Sequence, residues 1–194
     1  MRNGIYEDRL FEDQTVSEER FEDCRFLNCT FRNCAVSDCV FVRCSFSECL
    51  FERCRISGLT SEHSDVRFAR LADCDLVSID WGKLHQAGRF ADPVQSFENC
   101  RLRYNTFSGL SLRKFRFEGS AILESLFAEC ALAEASFRAC VLRGTEFFRC
   151  DLRRADFREA TGYRIDILHN SMKDARFSFP EVISLLSALE IKID

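Results

Sequence analysis

The most reactive side chains in this 194-residue chain are its twelve cysteines. Seven of them, Cys24, Cys29, Cys34, Cys39, Cys44, Cys49 and Cys54, follow one another at intervals of five, and Cys74, Cys100, Cys130, Cys140 and Cys150 are scattered beyond. Thiols in such density suggest disulfides, a metal centre or a nucleophile. Zinc needs ligands that converge, often with histidine among them, but the C-x4-C step changes face each time and no histidine accompanies it. His63, His85 and His169 are isolated from one another, and most carboxylates fall on outward positions. No glycine-rich phosphate loop, no G-x-S-x-G and no H-E-x-x-H is present. Six threonines in no obvious column exclude an ice-binding array. The expectation is a protein without catalytic residues, metal or cofactor.

The elements that hold the cysteines explain their spacing. A large apolar residue occurs at every fifth position, here called the centre: Tyr6, Phe11, Val16, Phe21, Phe26, Phe31, Val36, Phe41, Phe46, Phe51 and Ile56, then Val66, Leu71, Leu76 and Trp81, with Ser61 as the one polar exception. After a break the pattern returns from Phe97 to Phe157 with thirteen centres, all Phe, Leu or Ile. In a chain that is 46% apolar, such a run has a chance on the order of a few in 10⁵. A period of five fits neither a helix nor an ordinary strand, and fixed short self-similarity indicates a solenoid. All twelve cysteines sit two residues before a centre. If the solenoid has twenty residues per coil, as the family resemblance below implies, stacked neighbours such as Cys24 and Cys44 would lie about 4.8 Å apart with parallel Cβ vectors, whereas a disulfide wants about 3.8 Å and converging ones. The cysteines are therefore expected to be reduced, structural and housed in a cytoplasmic protein.

The segment CDLRRADFREA (150–160), with centres Leu152 and Phe157 and small residues Cys150 and Ala155 two before them, resembles the pentapeptide-repeat family, and the likeness spans about residues 6–160. The resemblance implies an all-β fold, a right-handed quadrilateral parallel β-helix with five residues per side, twenty per coil and about seven coils. Residues 1–160 would form this β-helix, interrupted by a loop at 82–96, and 161–194 a small helical cap and dimerisation module.

The segments differ in character. The first twenty or so residues are acidic, with Asp8, Glu12, Asp13, Glu18, Glu22 and Asp23 among them. Charge on a first coil discourages end-to-end association; alternatively it forms an anionic contact surface. Ser61 is expected to weaken or loosen its level. Residues 82–96 make the long interruption, read as three sides plus one extra residue between Trp81 and Phe97. His85, Arg89 and Phe90 there are candidate contacts, against plain repair of register, and Pro93 is a candidate cis bond. In the C-terminal segment 161–177 reads as a short helix or irregular turn. FPEVISLLSALE reads as a helix opened by Pro180, with Val182, Leu185, Leu186 and Leu189 on one stripe, followed by a strand bearing Ile191 and Ile193. These six apolar residues are the candidate dimer interface. A filled interior is expected to leave no cavity.

Net charge is −4, lacking the basic footprint of a nucleic-acid binder. The start MRNGIYEDRLFEDQ carries no signal-peptide pattern and no apolar run reaches membrane length, so direct nucleic-acid and membrane partners are not expected. Residues 1–92 carry net −5 and 93–194 net +1, a rod polarised along its length. The C-terminal segment RIDILHNSMKDARFSFPEVISLLSALEIKID and the single break after IDW are similar to the topoisomerase-poison resistance subgroup, which includes albicidin-resistance, microcin B17 immunity and Qnr quinolone-resistance proteins. That resemblance implies a non-enzymatic, DNA-mimic-like homodimer that binds DNA gyrase or topoisomerase IV and protects it from an inhibitor. The alternative is a β-helical scaffold or binding module with a different protein partner.

Overall fold

Each corner of the molecule is made by a repeated pair of features: an inward apolar residue and, two positions later, a residue in the left-handed region. At Asp8, Asp13, Asp23, Asn28 and Asn33 φ lies between 49° and 55°. Short Asp and Asn side chains tolerate that conformation better than most, which explains their recurrence at this position. The corner N–H then bonds the next coil, as Asp8 N does to Leu27 O (3.1 Å) and Asn28 N to Ser47 O (2.9 Å). The computed structural model describes residues 3–84 and 94–189, and over these the chain winds as a parallel β-solenoid of about eight turns, one more than expected.

Four faces result. Face 1 stacks Ile5–Glu7, Arg25–Leu27, Ser45–Ser47 and Asp65–Arg67; face 2 stacks Leu10–Glu12, Thr30–Arg32, Leu50–Glu52, Ala69–Ala72 and Val94–Glu98. Face 3 runs from Thr15–Ser17 to Ala121–Leu123, and face 4 begins with Arg20–Glu22, Val40–Val42 and Thr60–Glu62. Partners are twenty residues apart in register, Phe11 with Phe31 and Phe31 with Phe51, Phe21 with Phe41. The expected internal column is present: Phe31 stacks on Phe11 at 4.9 Å and on Phe51 at 4.8 Å, and Leu71 pairs with Phe51 one level on.

The break is accommodated differently from the expectation. Leu71 pairs directly with Phe97, twenty-six residues on, so one coil carries six extra residues and Phe97 returns to face 2. Trp81 lies on face 4, bonded to Thr106 O (2.9 Å), so the stretch to Phe97 is two sides plus six, not three plus one. The reason is that the chain turns in at once: Leu84 O accepts from Val66 N (3.0 Å), completing face 1 at this level without a strand. Val94 and Ser96 then pair with consecutive residues Ala69 and Arg70, a bulge that absorbs one residue. His85, Arg89, Phe90 and Pro93 lie outside the described residues. Among the described residues the Phe179–Pro180 peptide is cis.

Ser61 stays in register with Phe41, but among the described residues no ladder pair joins Thr60–Glu62 to the next level of face 4, which resumes at Asp80 and Thr106. The parallel ladders also run past 160: Arg164–Ile165 pairs with Glu146–Phe148, and Arg176–Phe177 with Asp156–Phe157. The segment expected to leave the repeat therefore adds a further coil, because Ile165, Met172 and Phe177 supply centres at irregular spacing.

The interior has two unlike halves. Beyond the break the rings of faces 2 and 4 meet edge to face across the axis, as in Phe117–Phe127 (5.6 Å, 86°) and Phe137–Phe147 (5.4 Å, 90°), and Phe117, Phe127, Phe137 and Phe157 are wholly buried. Before it, among the described residues, rings stack along a face or meet between adjacent faces, as in Phe26–Phe31 and Phe41–Phe46, and none meets across the axis. A void of about 270 Å³ lies between, lined by Phe11, Val16, Phe31, Val36, Phe41 and Phe46 among others. The expected filled interior is thus found only in the second half. There, hydrogen bonds close many of the turns, such as Phe115 N to Leu112 O (3.3 Å), Ala135 N to Leu132 O (3.0 Å) and Cys140 N to Phe137 O (3.1 Å). Among the described residues no such bond occurs before Trp81, so the two kinds of turn go with the filled and the hollow interior.

Candidate functional site

The buried thiols come first, since they carry the obvious chemistry. All twelve cysteines are free and buried. Most sulfurs aim at backbone carbonyls at the corner: Cys29 Sγ donates to Tyr6 O (3.5 Å) and Leu27 O (3.4 Å), and Cys54 Sγ to Phe31 O (3.3 Å) and Glu52 O (3.4 Å). Ser64, Asn105 and Thr145 occupy the equivalent slot and make the equivalent bond, Ser64 Oγ to Phe41 O at 2.9 Å, Asn105 Nδ2 to Leu76 O at 2.8 Å and Thr145 Oγ1 to Ile122 O at 2.8 Å. Where the slot holds a donor the donor bonds a carbonyl, as the thiols do, while Ala135, Ala155, Leu110 and Phe115 fill the same slot by packing alone; the thiols are structural. Burial pushes the Cys49 thiol up to about 11 and that of Cys140 up to about 12, far from the thiolate a nucleophile or metal ligand needs.

The acidic contact candidates are spread, not gathered. Asp8, Asp13, Glu18 and Asp23 follow at successive corners and ring the first coil. Each of three has a partner one coil on: Asn28 Nδ2 donates to Asp8 Oδ1 (2.7 Å), Asn33 Nδ2 to Asp13 Oδ1 (2.5 Å), and Arg43 Nε to Asp23 Oδ1 (2.7 Å). The Arg43 guanidinium holds the Asp23 carboxyl below its usual range. On face 2 Glu12 and Glu52 flank Arg32 at 3.6 and 2.9 Å, and on face 4 Glu22 lies 2.7 Å from Arg20. Carboxylates therefore meet an amide or a cation one coil on at the Asp8, Asp13 and Asp23 corners, whereas Glu18 is followed by Asp38.

The arginine-rich half follows the same rule. Arg153 meets Asp151 (2.7 Å), Arg158 meets Asp156 (2.6 Å) and Arg138 meets Glu159 (2.7 Å), and Asp151 and Asp156 are held low by those guanidinium groups. His169 Nδ1 lies 2.5 Å from Asp166, whose carboxyl it depresses. What residue-level reading missed was the left-handed corner, signalled by Asp, Asn or Gly two positions after so many centres. It places those side chains on the rod's edges, where neighbouring coils bring them into contact.

At the C-terminal end Glu181–Leu189 forms a 3₁₀ helix rather than the expected α-type one. With three residues per turn Val182 and Leu185 share a face, while Leu189 swings off it. Leu185 packs on the core, Val182 and Leu186 are half-buried, and Ile183 and Leu189 are exposed at 42% and 43%. The helix is tied down by Gly162 N to Glu181 Oε1 (2.6 Å) and Ser184 Oγ to Tyr163 O (3.3 Å). It covers the last coil, and Phe179 beside it is 82% exposed. Ile191 and Ile193 lie outside the described residues.

Residues 95–167 match the family described as pentapeptide repeat region. A trypsin-treated form of QnrB1, a plasmid-mediated fluoroquinolone resistance protein, superposes with a TM-score of 0.53 at 19% identity, over 98% of this chain and 100% of that one. The chain has the pentapeptide-repeat fold. Full-length QnrB1 gives a TM-score of 0.39 at 19% identity, covering 97% and 100% of the two chains. HetL, a pentapeptide-repeat protein involved in heterocyst differentiation regulation from the cyanobacterium Nostoc sp. strain PCC 7120, gives 0.35 at 10% identity, covering 90% and 85%. No curated protein gives a significant sequence match. Among the described residues of this pentapeptide-repeat solenoid no helix is long and apolar enough to cross a membrane.

Proposed function

We propose that this pentapeptide-repeat protein is a non-enzymatic, cytoplasmic resistance or immunity factor that binds DNA gyrase or topoisomerase IV and protects it from an inhibitor. The observation that carries the reading is the end-to-end likeness in fold to QnrB1, whose own role is fluoroquinolone resistance. Shape supports it: about eight turns at roughly 4.8 Å make a rod near 40 Å long, and a homodimer through the C-terminal helix would double it. The contact surface would be the carboxylate-bearing edges of the first coils, Asp8, Glu12, Asp13, Glu18, Glu22 and Asp23, together with the segment bearing His85, Arg89 and Phe90. The dimer contact would use Val182, Leu186, Leu189, Ile191 and Ile193, with Leu185 beneath them.

A second reading, a β-helical binding module with a different protein partner, is favoured by one observation: Asp8, Asp13 and Asp23 are partnered by Asn28, Asn33 and Arg43, which dilutes any phosphate-like line of charge. A duplex presents one charge per about 1.7 Å of axis. Titrating the purified protein into a gyrase supercoiling assay with albicidin, microcin B17 or ciprofloxacin separates the two. Restored supercoiling with any of the three is the expected result, and no effect with all three rejects the topoisomerase reading.

A further inference from the structure

The void in the first coils has a shape and a lining that nothing in the topoisomerase reading uses. Phe31 is sandwiched between Phe11 and Phe51, and Phe46 between Phe26 and the next level, so neither ring is at the end of the rod. Both rings point inward, yet both remain only half-buried, as do Phe41 and Val36. All four line the lumen. In the second half the corresponding rings Phe117, Phe127 and Phe137 are 0% exposed, so lumen exposure is not a property of the repeat as such.

The lumen's floor is set by Trp81 and Leu84 at the register break, and its walls run down through Val66, Ile56 and Val36 to Val16 and Phe11. It spans several coils and is elongated along the axis. No ionisable carboxylate or amine lines it. Of the polar groups that do, Ser64 is engaged with Phe41 O and Cys44 N, Cys34 with Phe11 O and Trp81 Nε1 with Asn105 Oδ1, while Gln14, whose Nε2 donates to Glu12 O, is exposed at the first coil, where the lumen meets solvent. Water on such apolar walls forfeits hydrogen bonds, and apolar cavities of about 150 Å³ take up benzene or xenon; this lumen is partly open to solvent, which gives a guest a way in. At about 270 Å³ this one is larger.

We infer that the lumen of the first coils is a binding site for an uncharged, hydrocarbon-like molecule, of the size of a two-ring aromatic or an alkyl chain of similar volume. The guest would supply the dispersion contacts the opposed faces do not make with each other. A charged guest has no partner in the lumen and is rejected by desolvation.

The test is a titration of the full chain, with methyl groups of Ile, Leu and Val isotopically labelled, with naphthalene, and with naphthalene-2-sulfonate as the charged control. Saturable shifts at methyls that line the lumen, Val16, Val36, Ile56 and Val66 among them, absent at Leu132 and Leu142 and absent with the sulfonate, are expected. No saturable shift, equal shifts in both halves, or equal binding of the sulfonate overturns the inference. Val36→Phe fills the lumen, and Val36→Leu is the milder substitute should the larger ring prevent folding. Each removes at least a methylene's worth of guest volume and is expected to weaken naphthalene binding about ten-fold or more; unchanged affinity in a folded variant overturns the site. The protein is used alone, so the result is independent of whether it binds a topoisomerase.

Discussion

At the scale of single residues the two halves of the solenoid should respond differently to the same change. Phe127 is fully buried and stacked on Phe107 (4.5 Å) and Phe147 (5.0 Å), whereas Phe41 stacks on Phe21 but faces the lumen. Phe127→Ala is expected to cost about 3–5 kcal/mol and Phe41→Ala roughly half that, because a half-exposed ring leaves less apolar area to lose; urea unfolding of the two variants measures the difference. The thiols give a pH dependence. Folding raises the values of Cys49 and Cys140 to about 11 and about 12, so the folded state holds these protons more tightly than the unfolded one. Their contribution is complete below the ordinary thiol value and is lost as pH rises toward the folded values. The melting temperature should therefore fall progressively above about pH 9, and less steeply in Cys140→Ser, where a hydroxyl can take over the bond to Phe117 O.

At the scale of the coil, the corner decides. Gly109 sits at φ 65° with open space where a Cβ would go, so Gly109→Ala tests backbone conformation without a clash. The left-handed penalty of about 1–2 kcal/mol is partly offset by the smaller entropy of unfolded alanine, leaving a net loss of roughly 0.5–1 kcal/mol, readable in a thermal melt. Ser61 tests the defect on face 4. Its hydroxyl is buried without a hydrogen-bond partner, so Ser61→Ala is expected to stabilise by about 1 kcal/mol. Loss of stability in that variant would mean the hydroxyl has a partner in solution.

At the scale of the whole molecule, the C-terminal helix has two faces with different work. Leu185 packs on the last coil, so Leu185→Asp should destabilise by about 2 kcal/mol or more. Leu189 is exposed on the same helix, so Leu189→Asp should leave the melting temperature unchanged and convert the proposed dimer to monomer in sedimentation equilibrium. A wild-type chain that sediments as a monomer removes the C-terminal dimer altogether. The charge asymmetry belongs to this scale too: an acidic first half and a near-neutral second half meet at the break.

Read as a string, the chain determines its own repeat. A large apolar residue at every fifth position and a small one two before it marked a solenoid with a five-residue step; the four faces, the twenty-residue register and the inward cysteines followed from the resemblance to the pentapeptide-repeat family, and the ladders and buried thiols bear them out. The break at Trp81–Gly82 was visible as a lapse in that step, and the apolar cap was visible too. Three features were decided only by tertiary structure. How many residues the break absorbs depended on Leu84 reaching Val66 across the coil. The partnering of Asp8, Asp13 and Asp23 depended on which corners lie above them, a relation between residues twenty apart. The filled and hollow interiors go with two kinds of turn, one closed by a hydrogen bond, as at Leu112 and Phe115, the other without it, as in the first coils. The same five-residue spacing serves both kinds of turn, so it cannot say how far apart opposite walls stand.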